Sequence, residues 1–96
     1  MPLSTLKTPK NAGLHQATAK LHHQHLHRAL AQGHYGQAIR LLDYLIVQAP
    51  KKSSYYTQRG LVYYRCRQWS QAMVNYNQAL QLNPGNDRIY VNRANC

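Results

Sequence analysis

Six histidines, two cysteines and two aspartates are the side chains of this 96-residue chain with reach into metal, nucleophile or acid/base chemistry. His22, His23, His25 and His27 fall together, with His15 and His34 on either side. At helical spacing His23 and His27 share a face, as two ligands of Zn²⁺ or another borderline divalent ion would. A closed site needs further ligands, and each ligating ring needs an acceptor behind it to orient it. No Cys or carboxylate stands nearby, so neither a metal site nor a cofactor is expected. The cluster offers charge instead: at about pH 6 several of these imidazoles protonate and would strengthen binding of an anionic partner. Catalysis finds less support still. Asp43 and Asp87 stand far apart in the sequence and make no evident acid/base pair. No nucleophile motif surrounds Cys66, and no glycine loop is built to cradle phosphate. The chain reads as a non-enzyme.

Charge is the strongest compositional signal. Twelve Lys and Arg face two acids, a formal net charge of +10 with His neutral. Such a surface attracts acidic peptides, nucleic acid or anionic lipid. The basic residues are scattered, with Lys51 and Lys52 the one adjacent pair, so no polybasic tail is present. Apolar residues make up 44% of the chain, enough for a folded domain, and its length allows one small domain with a modest core. Nearly all the aromatic content is Tyr, whose ring buries while its hydroxyl reaches water. The spacing of Cys66 and Cys96 fits no metal motif, and neither requires an oxidising compartment. Cys66 reads as a buried or half-buried thiol and Cys96 as a terminal one. No apolar stretch approaches the roughly 20 residues that span a bilayer. A cytoplasmic location is the expectation. The segment 1–20, basic and free of acids, gives organelle import a weaker footing.

These side chains must be positioned by repeated elements. When the chain is laid on itself so that Gly33 meets Arg67, the segment 33–39 (Gly-His-Tyr-Gly-Gln-Ala-Ile) matches 67–73 (Arg-Gln-Trp-Ser-Gln-Ala-Met). In the same register Pro50 meets Pro84, Tyr56 meets Tyr90 and Arg59 meets Arg93. Within a copy the apolar period is helical: Ala38, Ile39, Leu42, Leu45 and Ile46, then Ala72, Met73, Tyr76, Ala79 and Leu80. Helices are expected at about 14–32, 35–48, 53–66, 69–82 and 87–95, joined by short turns that make neighbours antiparallel. No segment reads as a strand. Pro50 and Pro84 stop the helices before them. Ser53 or Ser54, then Asn86 or Asp87, are the expected N-caps, and Asp87 suits the positive end of its helix. Gly33 permits a left-handed turn, which its counterpart Arg67 must make without glycine. The segment 1–12, with Pro2 and Pro9, reads as a disordered or loosely held basic arm.

The second copy resembles the tetratricopeptide repeat. Tyr56, Gly60, Tyr63, Trp69, Ala72, Tyr76, Ala79 and Pro84 fall at that family's spacing of aromatic, small residue and proline. In the first copy Tyr35, Ala38 and Pro50 keep the pattern. Leu26 and Leu45 replace small residues, and Ala29 replaces a tyrosine, so its first helix is expected to pack at a different distance or to act as an elongated cap. The resemblance implies an all-α fold of helix-turn-helix repeats, stacked as a short right-handed α-solenoid. The domain runs over 13–96: repeat 1 over 19–52, repeat 2 over 53–86, and the first helix of repeat 3 over 87–96. One hairpin cannot bury its apolar stripe alone, and stacking supplies the missing surface. Ile89, Tyr90 and Val91 make the last helix less polar than an outer cap, so the chain is expected to be a segment of a longer array or to self-associate through this helix.

The resemblance also implies which side chains line the concave face: Lys20, His23, His27 and Ala31; Ser54, Thr57, Leu61, Tyr64 and Arg65; Arg88, Val91, Asn92 and Asn95. Tyr and Arg are enriched at binding hot spots. A partner protein offering an acidic or C-terminal peptide segment suits this basic lining. Some members clamp a chaperone's terminal carboxylate with Lys, Asn and Arg. Of the matching positions His23, His27, Gln58, Arg88 and Asn92, Arg88 alone keeps its type, so chaperone docking is not expected. The function implied is a protein-interaction module within a scaffold or assembly factor. The alternative is an RNA- or DNA-binding helical array that uses the net charge, with tyrosines stacking on bases.

Overall fold

A computed structural model describes residues 18–96, and these are all-α. Helix α1 covers 18–31 of the described residues, followed by α2 (Tyr35–Gln48), α3 (Ser53–Arg65), α4 (Trp69–Leu82) and α5 (Asp87–Ala94). The arm expected over 1–12 and the first residues expected of α1 lie outside the described residues. Helices α1/α2 and α3/α4 form the two hairpins, and α5 packs on α4.

The stops follow from local chemistry. Ala49 and Asn83, each just before a proline, leave helical geometry with φ near −140° and ψ near 75°. Gly33 makes the α1–α2 turn at φ 71°, and Arg67 makes the equivalent α3–α4 turn at φ 61°. The second is costly for a residue with a Cβ. Asn86 caps α5, its Oδ1 accepting the Arg88 backbone N–H at 3.0 Å, and Asp87 occupies the first turn. The serine caps expected for α3 do not form. Lys52 holds the N-cap position without a side-chain bond, and Ser53 is already the first helical residue.

Two clusters make the core. Leu26, Ala29, Ala38, Leu42, Leu45, Tyr55 and Val62 fill the first. Tyr56, Ala72, Tyr76, Ala79, Leu80 and Ile89 fill the second. The departures of the first copy find their reason here. Gly60 opposes Tyr76, while at the matching positions of the first copy Leu26 and Leu42 share one cluster. Likewise Tyr63 packs with the cluster of Ala79, where the first copy has Ala29 and Leu45. The two hairpins thus fill their matching positions with different combinations of small and large residues.

The repeat is also written in hydrogen bonds. Tyr56 donates its hydroxyl to the Pro50 carbonyl at 2.8 Å, and Tyr90 donates to the Pro84 carbonyl at 2.9 Å. Arg59 lies over the Tyr56 ring, and Arg93 over the Tyr90 ring. Both arginines reach back to the preceding outer helix. Arg59 donates to Asp43 at 2.8 Å and Arg93 to Asn77 at 3.0 Å. Each tyrosine closes the loop that precedes its helix, and each arginine ties that helix to the repeat before it.

Candidate functional site

The expected partner-binding residues sit on α1, α3 and α5, the first helix of each repeat unit. Lys20, His27 and Ala31 are exposed on α1. Ser54 and Arg65 are exposed on α3, with Thr57, Leu61 and Tyr64 half-buried. On α5, Arg88 and Val91 are exposed and Asn92 is half-buried, while Asn95 is exposed at its C-cap. None of them is a core residue.

His23 is the one whose role changes. It is half-buried, and its Nε2 lies 2.9 Å from the Tyr55 hydroxyl. Tyr55 is itself buried, so this contact joins α1 to α3. An imidazole nitrogen engaged in this way is withdrawn from metal chelation with His27. His22 is also committed: its ring stacks on Tyr44 at 4.4 Å, and its Nδ1 lies 2.7 Å from the Thr18 carbonyl oxygen. Among the described residues no three His, Cys, Asp or Glu side chains converge. Cys66 is half-buried and Cys96 exposed, both as free thiols. No helix of the described residues is long and apolar enough to cross a membrane.

The α1–α3 junction opens into a groove of about 290 Å³ lined by Leu30, Ala31, Gln58, Leu61, Val62 and Arg65. It lies at the lower edge of the size range of small-molecule sites, roughly 300 Å³, so it suits a side chain or two. Ala31, Leu61 and Arg65 are expected on this face. Leu30 and Val62 are not among the expected residues; the spacing of two neighbouring helices brings them to the groove. Further along α3, Tyr64 meets Trp69 edge-on at 5.2 Å, placing a pair of aromatics beside Arg65 at the α3–α4 turn.

Electrostatics on this face is one-sided. Asp43 is engaged by Arg59, and the other acid, Asp87, stands in the first turn of α5. The Arg65 and Arg88 side chains have no carboxylate partner among the described residues. Deep in the second cluster, burial pushes the Tyr76 hydroxyl up from 10.0 to about 12. This tyrosine is therefore a neutral core group and not a proton carrier. Asn75, the buried polar residue of the core, is invisible to hydrophobic periodicity. It accepts from Arg59 Nε at 2.7 Å and donates to the Gln71 carbonyl at 2.8 Å.

A family model described as TPR repeat matches residues 60–95. No curated protein matches the chain significantly. Among solved structures, the complex of the TPR2B domain of yeast Sti1 with pHsp70 is similar at a TM-score of 0.74 and 18% identity. The match covers 80% of this chain and 62% of that one, so this chain spans less than two thirds of its length. At that identity the likeness concerns the fold. The chain is thus similar to the TPR repeat in sequence over 60–95 and shares the all-α helical-repeat fold of a TPR domain.

Proposed function

We propose that the protein is a non-enzymatic interaction module that holds a segment of a partner protein against the face made by α1, α3 and α5. The observation that carries this reading is the surface of those helices. Lys20, Arg65 and Arg88 are exposed and lack carboxylate partners among the described residues, with half-buried Leu61 and Tyr64 among them. Apolar contact area ringed by unpaired cations suits a peptide that brings an aliphatic or aromatic side chain together with Asp, Glu or a terminal carboxylate. The fold neighbour is itself held in a complex with another protein, pHsp70, which supports protein over nucleic acid as the partner class. A chaperone terminus is not the partner proposed, since His23, His27 and Gln58 lack the residue types of the clamp and His23 is bound to Tyr55. A place in a cytoplasmic scaffold or assembly factor is part of the same proposal.

The test is affinity capture on the intact chain at physiological salt, with and without nuclease, alongside Arg65→Glu. A protein that survives nuclease and is lost with the charge reversal fits the reading. Recovery that collapses with nuclease, or falls steeply with salt through phosphate contacts, overturns it in favour of RNA or DNA.

A further inference from the structure

The register that lays one repeat on the next also matches Leu21 to Tyr55 and Ile89. Tyr55 is 4% exposed and Ile89 0%, because each packs against the repeat before its own helix. Leu21 is 49% exposed. The contrast continues along α1. His25 and Arg28 are exposed. Their counterparts on α3 are Arg59, which donates to Asp43 of α2, and Val62, which is buried in the first cluster. Leu21, His25 and Arg28 follow one another at four- and three-residue steps and so share one stripe of α1. On α3 the same stripe stacks the helix on the hairpin before it. On α1 it stands open to solvent, beside a cavity of about 160 Å³ lined by His25, Arg28, Ala29, Gln32 and Gln37.

We propose that this stripe docks an acidic amphipathic helix of a partner protein, seated on α1 as α2 is seated on α3. The two junctions within the chain define what such a helix must carry. In each, an acceptor, Asp43 or Asn77, stands three residues ahead of an apolar residue that packs at the junction, Ile46 or Leu80. Charge adds a further requirement. Arg28 stands where α3 has the aliphatic Val62, and no ion pair engages Arg28 among the described residues. Neighbouring helices are antiparallel, so a carboxylate one turn ahead of the acceptor faces Arg28. The docked helix thus reads Glu, then Asp four residues on, then Leu or Ile three further. Its Leu covers Leu21, its Asp accepts from His25, and its Glu pairs with Arg28. The chain itself offers no equivalent. In register, residues 1–14 would take this place, but the slots of Ala38, Leu42, Leu45 and Ile46 hold Ser4, Thr8, Asn11 and Ala12, and Pro9 stands at that of Asp43. In a second copy, the matching faces of α2 and α4 are already covered by α3 and α5.

The experiment titrates the ¹⁵N-labelled full chain with a synthetic amphipathic helix that carries this Glu, Asp and Leu at the stated spacing, and follows backbone amide shifts. Shifts clustered at Leu21, His25 and Arg28 are expected. Affinity should fall at least about tenfold when the peptide Leu is replaced by Ala. Arg28→Glu turns an attraction into a repulsion and should weaken binding about tenfold or more. Arg28 is exposed, so this variant should melt at the temperature of the parent. Arg65→Glu, on the concave face, should leave the affinity unchanged. Shifts confined to Leu61 and Arg65, with binding lost in Arg65→Glu, refute the docking stripe while the concave interaction face stands. A scrambled peptide of equal charge that binds as tightly reduces the stripe to unspecific attraction and overturns the proposal. So do nuclear Overhauser contacts from the Leu21 methyls to residues 1–14 in the free chain, which make that segment the occupant. Concentration-dependent dimers that shift Leu21 without peptide make a second copy the occupant and overturn it equally.

Discussion

Gly60 offers the sharpest test of how the second hairpin is packed. A Cβ built there would lie 2.6 Å from Tyr76 Cε1 and 2.7 Å from Cδ1. Tyr76 is 1% exposed, so its ring has no room to withdraw. Gly60→Ala therefore sets two effects against each other. The helix gains about 1 kcal/mol from the better propensity of alanine. Overpacking against a caged ring costs typically about 1–3 kcal/mol, and contacts this short belong at the upper end. The net expectation is a loss of about 1–2 kcal/mol. For a domain of this size that is a fall of roughly 4–16 °C in melting temperature. Thermal and urea unfolding followed by circular dichroism measure it. Gly60→Leu alone should be worse. Combined with Tyr76→Leu it recreates the Leu26/Leu42 pairing of the first hairpin, and the double variant should be less damaged than the two single losses added together. A Gly60→Ala variant that is more stable than the parent by the full propensity gain would refute the claim that the ring is lodged against the α3 backbone.

Three further outcomes follow from the same structure. Arg67→Gly, at φ 61°, relieves a left-handed residue and should stabilise the chain by about 1 kcal/mol in chemical denaturation, while Gly33→Ala should destabilise it. Arg59→Ala leaves the buried Asn75 Oδ1 without its donor and should cost about 1–3 kcal/mol. Asp43→Asn removes a half-exposed ion pair worth at most about 1 kcal/mol, so equal losses in the two variants would contradict this division. Tyr76 ionises in the unfolded chain near 10.0 but in the folded chain only at about 12. Between those values the unfolded state has released a proton that the native state retains. Its contribution is thus complete below pH 10.0 and is lost as pH rises towards about 12. Tyrosinate absorbance of the native protein should lose a late-titrating component in Tyr76→Phe, and the same substitution should flatten that part of the stability profile.

The helices are legible because their signals are local. Proline, the apolar period and the register that lays Gly33 on Arg67 place α2 over Tyr35–Gln48 and α4 over Trp69–Leu82, as the spacing predicts. What escapes is set by neighbours distant in sequence. His23 looks like a surface ligand on a helical wheel, yet Tyr55, in the next repeat, takes its Nε2. Asn75 breaks the apolar stripe and is rescued by Arg59 on the facing helix. Leu26 looks like a misfit in a small-residue slot until Leu42 is seen where the other hairpin has Tyr76. The serine caps fail because two serines in succession do not reveal which residue begins the helix, and α3 begins at Ser53 itself. The candidate face is what the family resemblance implies. The groove within it needs the spacing between α1 and α3, which no single helix encodes.

The most direct test of the central claim is site-specific photo-crosslinking. A photoreactive side chain is placed at Leu61, on the α3 face, or at Val47, which is 74% exposed on the outer helix α2. A protein adduct is expected from position 61 that disappears with Arg65→Glu, and little from position 47. An adduct chiefly from position 47, or a nuclease-sensitive adduct from position 61, would contradict that claim.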